Sequence, residues 1–341
     1  MKKLVCLILV NTAMQLSLFA QEKSVLFSST DPVEIKMKFS VKELRSETND
    51  STFMDSFLQY KNEKGEWDSV DVQLRIRGNF RLKNCYYPPV RMKIKKKEGE
   101  GTIFEGNKSL KLVLPCNRIK NADGFLMREY LCYQLFEEVS QYTFDTRLIK
   151  VTLENEDEKG GEYFQLMGFL IEDDDEVADR FGGNIINDKK VPATFMQDSA
   201  IVRHDFFQMM IGNTDWSNLF RHNETVLQLD EKTVVPLAYD FDMTGLVNPP
   251  YAQVSDLIEI EKVTERLYRG YCRDPRLLEA IRQEFLVAEP RILKHIDLLI
   301  GTVEDRDVKF VRGFLDDFFK VLKDDRQFKA EVLDACRAQG S

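Results

Sequence analysis

The chain has 341 residues, 43% of them hydrophobic and 24 of them Phe, enough apolar material for a substantial core and too much for a disordered protein. Asp and Glu number 57 against 48 Lys and Arg, and the net charge of −9 has the wrong sign for nonspecific nucleic-acid binding. The three histidines are scattered and neither Cys-x-x-Cys nor Gly-x-Ser-x-Gly occurs, which speaks against a zinc hydrolase and a serine esterase.

Met1-Lys2-Lys3 precedes an apolar stretch from Leu4 to Phe19, and Ala20-Gln21 follow. This predicts a signal peptide over residues 1–20, cut after Ala20, rather than a membrane anchor. Its removal takes away Lys2 and Lys3 and no acid, moving the net charge from −9 to −11. Cys6 lies too early for a lipoprotein site, and no later apolar run has membrane-spanning length.

Short runs of strand-forming residues predict strands over 25–27, 33–39, 70–77, 91–97 and 110–114. If the last two form an antiparallel pair turning near Gly101, Cys85 and Cys116 emerge at the same end, where an oxidising compartment favours a disulfide. Cys132, Cys272 and Cys336 remain, so at least one thiol stays free or pairs between chains. A helix over 123–139, capped by Asp123, comes next, then a hairpin of 148–153 and 163–171 over the turn 157–161. The acidic run from Glu172 to Glu176 reads as a solvated face or a helix start.

Val202, Phe206, Met209 and Met210 are spaced as the buried face of a helix. A hairpin of 224–229 and 233–235 follows, and after residue 242 helices are expected over 275–286, 290–300, 304–321 and 326–336, the first two opened by Pro275 and Pro290. Arg266 and Arg269, in the segment 265–272, have the chemistry to grip phosphate, but their setting reads as ordinary packing and they are not assigned to a site.

Two segments carry the chemistry. Residues 211–223 offer Asp215 and Asn223, and residues 236–242 offer Asp240 and Asp242, with one short hairpin between them. Phosphoryl transfer needs a carboxylate to orient the attacking hydroxyl, and oxygen ligands for the cations that neutralise the phosphates. The same residue types also serve turns, because short polar side chains bond to nearby backbone.

The order of these segments resembles a known family. Asn213-Thr214-Asp215-Trp216, His222-Asn223 and 236–242 are similar to core motifs of the spore-coat-protein-H (CotH-type) atypical kinases. Arg75-Ile76-Arg77-Gly78-Asn79, the strand 89–94, the helix 123–136 and the strand 167–172 extend the likeness over roughly residues 70–250. The resemblance implies an α+β fold with a kinase-like bilobal core: an N-terminal β-rich lobe over 21–120 and an α+β to helical lobe over 121–341. It implies Asp215 as the catalytic acid, Asp240 as the main metal ligand assisted by Asn223 and Asp242, and Lys93 as the phosphate-contacting lysine. Glu129 is the candidate helix partner of Lys93, and Glu172 ends the hinge-like strand at the nucleotide. Lys93 also fits a plain exposed strand position, since it lies in an alternating lysine run. The function implied is an exported atypical protein kinase moving the γ-phosphoryl group of ATP, with Mg or Mn, to a protein hydroxyl. An inactive binding or adhesion protein of the cell envelope and a nucleotidyltransferase are the alternatives.

Overall fold

The computed structural model describes residues 23–158, 162–187, 190–254 and 258–338. The expected signal peptide lies outside the described residues, as do residues 159–161 of the expected 157–161 turn.

Seven strands build the first half: β1 (Val33–Phe39), β2 (Met54–Lys61), β3 (Trp67–Ile76), β4 (Val90–Ile94), β5 (Ser109–Val113), β6 (Thr146–Asn155) and β7 (Glu162–Glu172). A period of two puts Val33, Ile35, Met37 and Phe39 of β1, and Val90, Met92 and Ile94 of β4, into one apolar interior. The sheet runs β1-β2-β3-β4-β5-β7-β6 and then closes, because β6 pairs in parallel with β1 from Ile149 opposite Val33 to Asn155 opposite Phe39.

That closure overturns the expected kinase-like bilobal core. The hairpin of β6 and β7, placed by the motif order in a second lobe, completes the N-terminal sheet instead and leaves it no open edge. The fold is a mixed α/β one, a closed barrel with a separate set of helices. Alternation alone could not show this, since a strand of an open sheet and a strand of a barrel carry the same period.

Short helices α1 (Val41–Glu47), α2 (Phe80–Asn84) and α3 (Lys96–Gly99) lie in the barrel's connections. A second core forms around α4 (Ala122–Glu137), α5 (Asp174–Phe181), α6 (Asp198–Met210), α7 (Pro275–Lys294), α8 (Asp305–Lys323) and α9 (Asp325–Phe328). Packed with them are β8 (Asn184–Ile185), β9 (Glu224–Gln228) and β10 (Val234–Ala238), in the order β10-β9-β8. Tyr130, Phe206, Phe241, Phe285 and Phe318 are buried there, and each such ring contributes about 1.5–3 kcal/mol by leaving water. Pro275 does open α7, with Asp274 accepting the Arg276 N–H, but Pro290 lies inside that helix instead of starting another. The backbone of Asn121, at φ 71°, takes the capping position of α4, and Asp123 accepts the Met167 N–H at 3.2 Å.

Cys85 is bonded to Cys116, as their placement predicts; Cys272 is bonded to Cys336, and Cys132 is a buried free thiol. Among the described residues no helix is long and apolar enough to cross a membrane.

Candidate functional site

A cavity of about 570 Å³ opens between the outer face of the barrel at β4 and β5, helix α4 and the loops around Asp215 and Asp240. The loop after α6 is set by local chemistry. Gly212 turns the chain at φ 63°, and a Cβ there would lie 2.9 Å from the Phe314 ring. Buried Asn213 then accepts the Asp215 N–H at 2.9 Å, and its amide donates to Gln208 at 2.8 Å. Ser217 and His222 exchange backbone hydrogen bonds of 3.1 and 3.0 Å, which folds His222 and Asn223 back onto Asp215.

The Asp215 carboxylate therefore has two side-chain neighbours, His222 Nε2 at 2.9 Å and the donating Asn223 Nδ2 at 3.1 Å. Burial alone would raise its pKa; the bonds from His222 and Asn223 outweigh burial and hold it below the usual carboxylate range. Asp215 is thus a charged, fixed acceptor.

Asp240 follows β10 with φ 62°, and its N–H donates to the Tyr133 hydroxyl at 3.0 Å. Asn223, at φ 53°, and Arg221, at φ 51°, share this left-handed backbone and line the same cavity. Such strain in non-glycine residues persists only where the surroundings enforce it, and it gathers at functional sites. Asp242 is buried, takes a hydrogen bond from Tyr251 at 3.2 Å and lies 3.9 Å from Arg81 Nε. Arg81 also reaches Glu129 at 3.3 Å and the Leu114 carbonyl at 2.7 Å. Burial, and then the charge of Asp240, push Asp242 well above the usual carboxylate range against the pull of Arg81. Burial raises Glu129 as well, again opposed by Arg81. Arg81, with Arg77 acting on Glu129 as well, thus faces carboxyls that burial and mutual crowding push toward the neutral form.

The facing wall is basic. Arg91 and Lys111 are register partners on β4 and β5, and both line the cavity with Arg77. Lys111 is 3% exposed, bonded to Asp174 at 2.7 Å, and burial depresses its basicity despite that partner. Arg91 pairs with Asp173 at 2.8 Å. The acidic run from Glu172 to Glu176 is therefore no solvated face; it lashes the start of α5 to the barrel.

Of the residues expected from sequence, Asp215, Asn223, Asp240, Asp242 and Glu129 are brought together around this cavity. Lys93 is not. It points outward on β4, exposed, with its Nζ 5.7 Å from the Phe53 ring, and the ion-pair partner of Glu129 is Arg81. Glu172 is not among the lining residues either; it is buried against Arg180 at 2.7 Å and accepts the Asp145 N–H. Lys111, Arg81, Arg77 and Arg91 were missed. A signal for Lys111 existed: it is a single lysine in the apolar run Leu110-Lys111-Leu112-Val113-Leu114, sharing its face with Val113, and an ammonium buried there needs an acid. A second cavity of about 570 Å³ lies beside Arg118, Asp123 and Glu304, away from Asp215 and Asp240. No protein-family model matches the chain, and no curated protein is similar enough to match it.

Proposed function

We propose that this cavity binds a nucleoside triphosphate, with ATP the expected form, and transfers a phosphoryl group to a hydroxyl of an acceptor protein outside the cytoplasm. The observation that carries this is the opposition of two charged walls in one cavity: Asp215, Asp240, Asp242 and Glu129 against Lys111, Arg77 and Arg91. Chemistry resides in sites and not in folds, so a barrel in place of a kinase-like core leaves the reading open to test. The motif order similar to CotH-type kinases and the two disulfides support the activity and the exported compartment respectively.

Lys111, Arg77 and Arg91 hold the phosphates, and Pro89, Val113, Ile171 and Tyr239 give the base an apolar seat in the same cavity. Asp215 orients the acceptor hydroxyl, its own position fixed by His222 and Asn223. Among the described residues no three His, Cys, Asp or Glu side chains form a metal cage of their own. Magnesium does not need one, since it binds through one or two carboxylates plus substrate phosphates. Asp240 and Asp242, with Asn223, fit that role: they line one cavity with Glu129, and a bound cation would relieve the crowding of these acids around Arg81. The cation would neutralise charge on the transferring group.

Incubating the mature chain with ATP labelled at the γ or the α position, with Mg or Mn, tests the reading. Transfer of the γ label to protein is expected; transfer of the α label means nucleotidylation, and no transfer with no metal-dependent thermal shift leaves a binding protein.

A further inference from the structure

The segment 265–272 plays no part in the cavity, yet it lies directly behind the loop that carries Asp215. Arg269 Nη1 donates to the carbonyls of Thr214 and of Trp216, the second at 3.0 Å. The Thr214 carbonyl lies in the peptide plane that enters Asp215, and the Trp216 carbonyl lies one plane beyond the one that leaves it. The Asp215 carbonyl between them takes the Asn223 amide at 2.7 Å, so one nitrogen of Arg269 braces the backbone before and after Asp215 and with it the direction in which the Asp215 side chain leaves. Trp216, 2% exposed, is enclosed by the His204 ring at 4.9 Å, the Arg269 guanidinium at 5.4 Å and the Arg337 guanidinium at 6.0 Å.

Arg337 arrives from the far end of the chain. Cys272 N–H donates to the Arg337 carbonyl and Arg337 N–H to the Gly270 carbonyl, both at 2.9 Å. Gly270 lets Tyr268 and Asp205 pack directly under this backbone: a Cβ there would lie 2.3 Å from the Tyr268 hydroxyl and 2.6 Å from Asp205 Oδ2. Val332 and Leu333 anchor the preceding turn in the second core, while residue 337 itself is tied to this segment by those two backbone bonds and by its guanidinium 4.5 Å from the Tyr271 ring. Beside them sits the Cys272–Cys336 disulfide.

We infer that Arg269 is the positioning residue for Asp215, in the role proposed for Asp215 above, and that the Cys272–Cys336 bond is the strap that holds Arg269 and Arg337 against the loop. Transfer then depends on the oxidation state of that one bond. Cys272 is exposed, whereas Cys85 and Cys116 are buried, so a dithiol reaches the strap first. A thiolate of the dithiol attacks Cys272 Sγ and Cys336 leaves as a thiolate that takes a proton. The second thiol then displaces Cys272, and the reagent departs as a disulfide with two electrons and two protons given up.

The test uses the mature full-length chain with Trp67→Phe, which makes Trp216 the sole tryptophan. Mild dithiol followed by alkylation should label Cys272 and Cys336 only, shift Trp216 emission to the red, and lower kcat about tenfold or more with KM for ATP changed by less than about threefold. Arg269→Ala should reproduce both effects without reductant, Arg269→Lys should recover much of kcat, and Cys272→Ser should make the protein indifferent to dithiol. A Trp216 emission unmoved by reduction and by Arg269→Ala overturns the clamp whatever the activity. A wild type inert toward ATP, whose Trp216 emission still moves on reduction, sinks the phosphoryl-transfer reading and leaves the clamp standing. Normal kcat in Arg269→Ala alongside a shifted emission removes Arg269 as a positioning residue.

Discussion

The two walls of the cavity are built by different means. Asp215, Asn223 and Asp240 stand on loops, Asn223 and Asp240 with left-handed backbone, and each is tied by side-chain bonds to its own neighbourhood. Arg91 and Lys111 stand mid-strand, opposite one another, and are aimed by sheet register. A loop residue can be replaced without disturbing the barrel, whereas a strand residue cannot turn without a one-residue slip that reverses its whole strand. The acidic wall should therefore behave as a set of separable chemical parts and the basic wall as part of the scaffold.

Arg81 joins the walls, and its loss should be the largest effect. Arg81→Leu strips Glu129 and Asp242 of their shared cation and should destabilise the protein by about 3–5 kcal/mol, read from urea unfolding. Adding Glu129→Gln should recover part of that loss, because the two changes remove both ends of one interaction. A cost below about 1 kcal/mol for Arg81→Leu would mean that the carboxylates do not crowd one another, and the case for a cation at Asp240 and Asp242 would weaken with it.

Within the acidic wall the parts should separate. Asp240→Asn should abolish the thermal shift given by ATP with magnesium, since an amide cannot supply the carboxylate's charge at the cation. Asp215→Asn should keep that shift and lower transfer by about 10²-fold or more, as expected of a group that acts on the acceptor. Variants that lose both properties together would show one structural cluster where two roles are claimed.

Lys111 and Lys93 bring the comparison to the basic wall and to what the sequence could tell. Lys111→Met should raise the Kd for ATP about tenfold or more and also cost stability, because Asp174 loses its nearer partner and keeps Arg91 at 4.0 Å, while Lys93→Ala should change neither. The acidic wall was legible because its residues fall in two short segments whose residue types match one chemistry. The basic wall was not. Lys93 lies on the correct face of the sheet, two residues beyond Arg91, but opposite Ser109, and only the register of β4 against β5 tells the two lysines apart. Six of the barrel's seven strands and the helices α4 and α6 could be read from apolar spacing; β2 was not, and residues 25–27, expected as a strand, form a single 3-10 turn. Its closure could not, since β1 and β6 are joined by a parallel pairing across more than a hundred residues that leaves no local pattern. The Cys85–Cys116 bond was legible from two strands, and the Cys272–Cys336 bond was not, because no element pairing in the sequence brought the chain end near residue 272.

Glu224 comes directly after Asn223 in sequence but is 2% exposed and turned away from the cavity into the second core. Burial raises its pKa from 4.5 to about 7, while His204 and the Asn218 amide, 2.8 Å away, work the other way. The unfolded chain releases this proton near pH 4.5 and the folded chain keeps it until about 7, so the folded state holds more protons between those values. Stability from this group is thus fully present below about pH 4.5, falls as pH rises, and is gone above about 7, by an amount of up to about 3 kcal/mol. Glu224→Gln keeps an acceptor for Asn218 and has no charge to bury. Its absolute stability includes the new amide's own unmet bonds, so the measurement that counts is the slope: urea unfolding at pH 5 and pH 8 should show a smaller loss in the variant than in the wild type. Equal losses in the two proteins would show that Glu224 is ionised in the fold despite its burial.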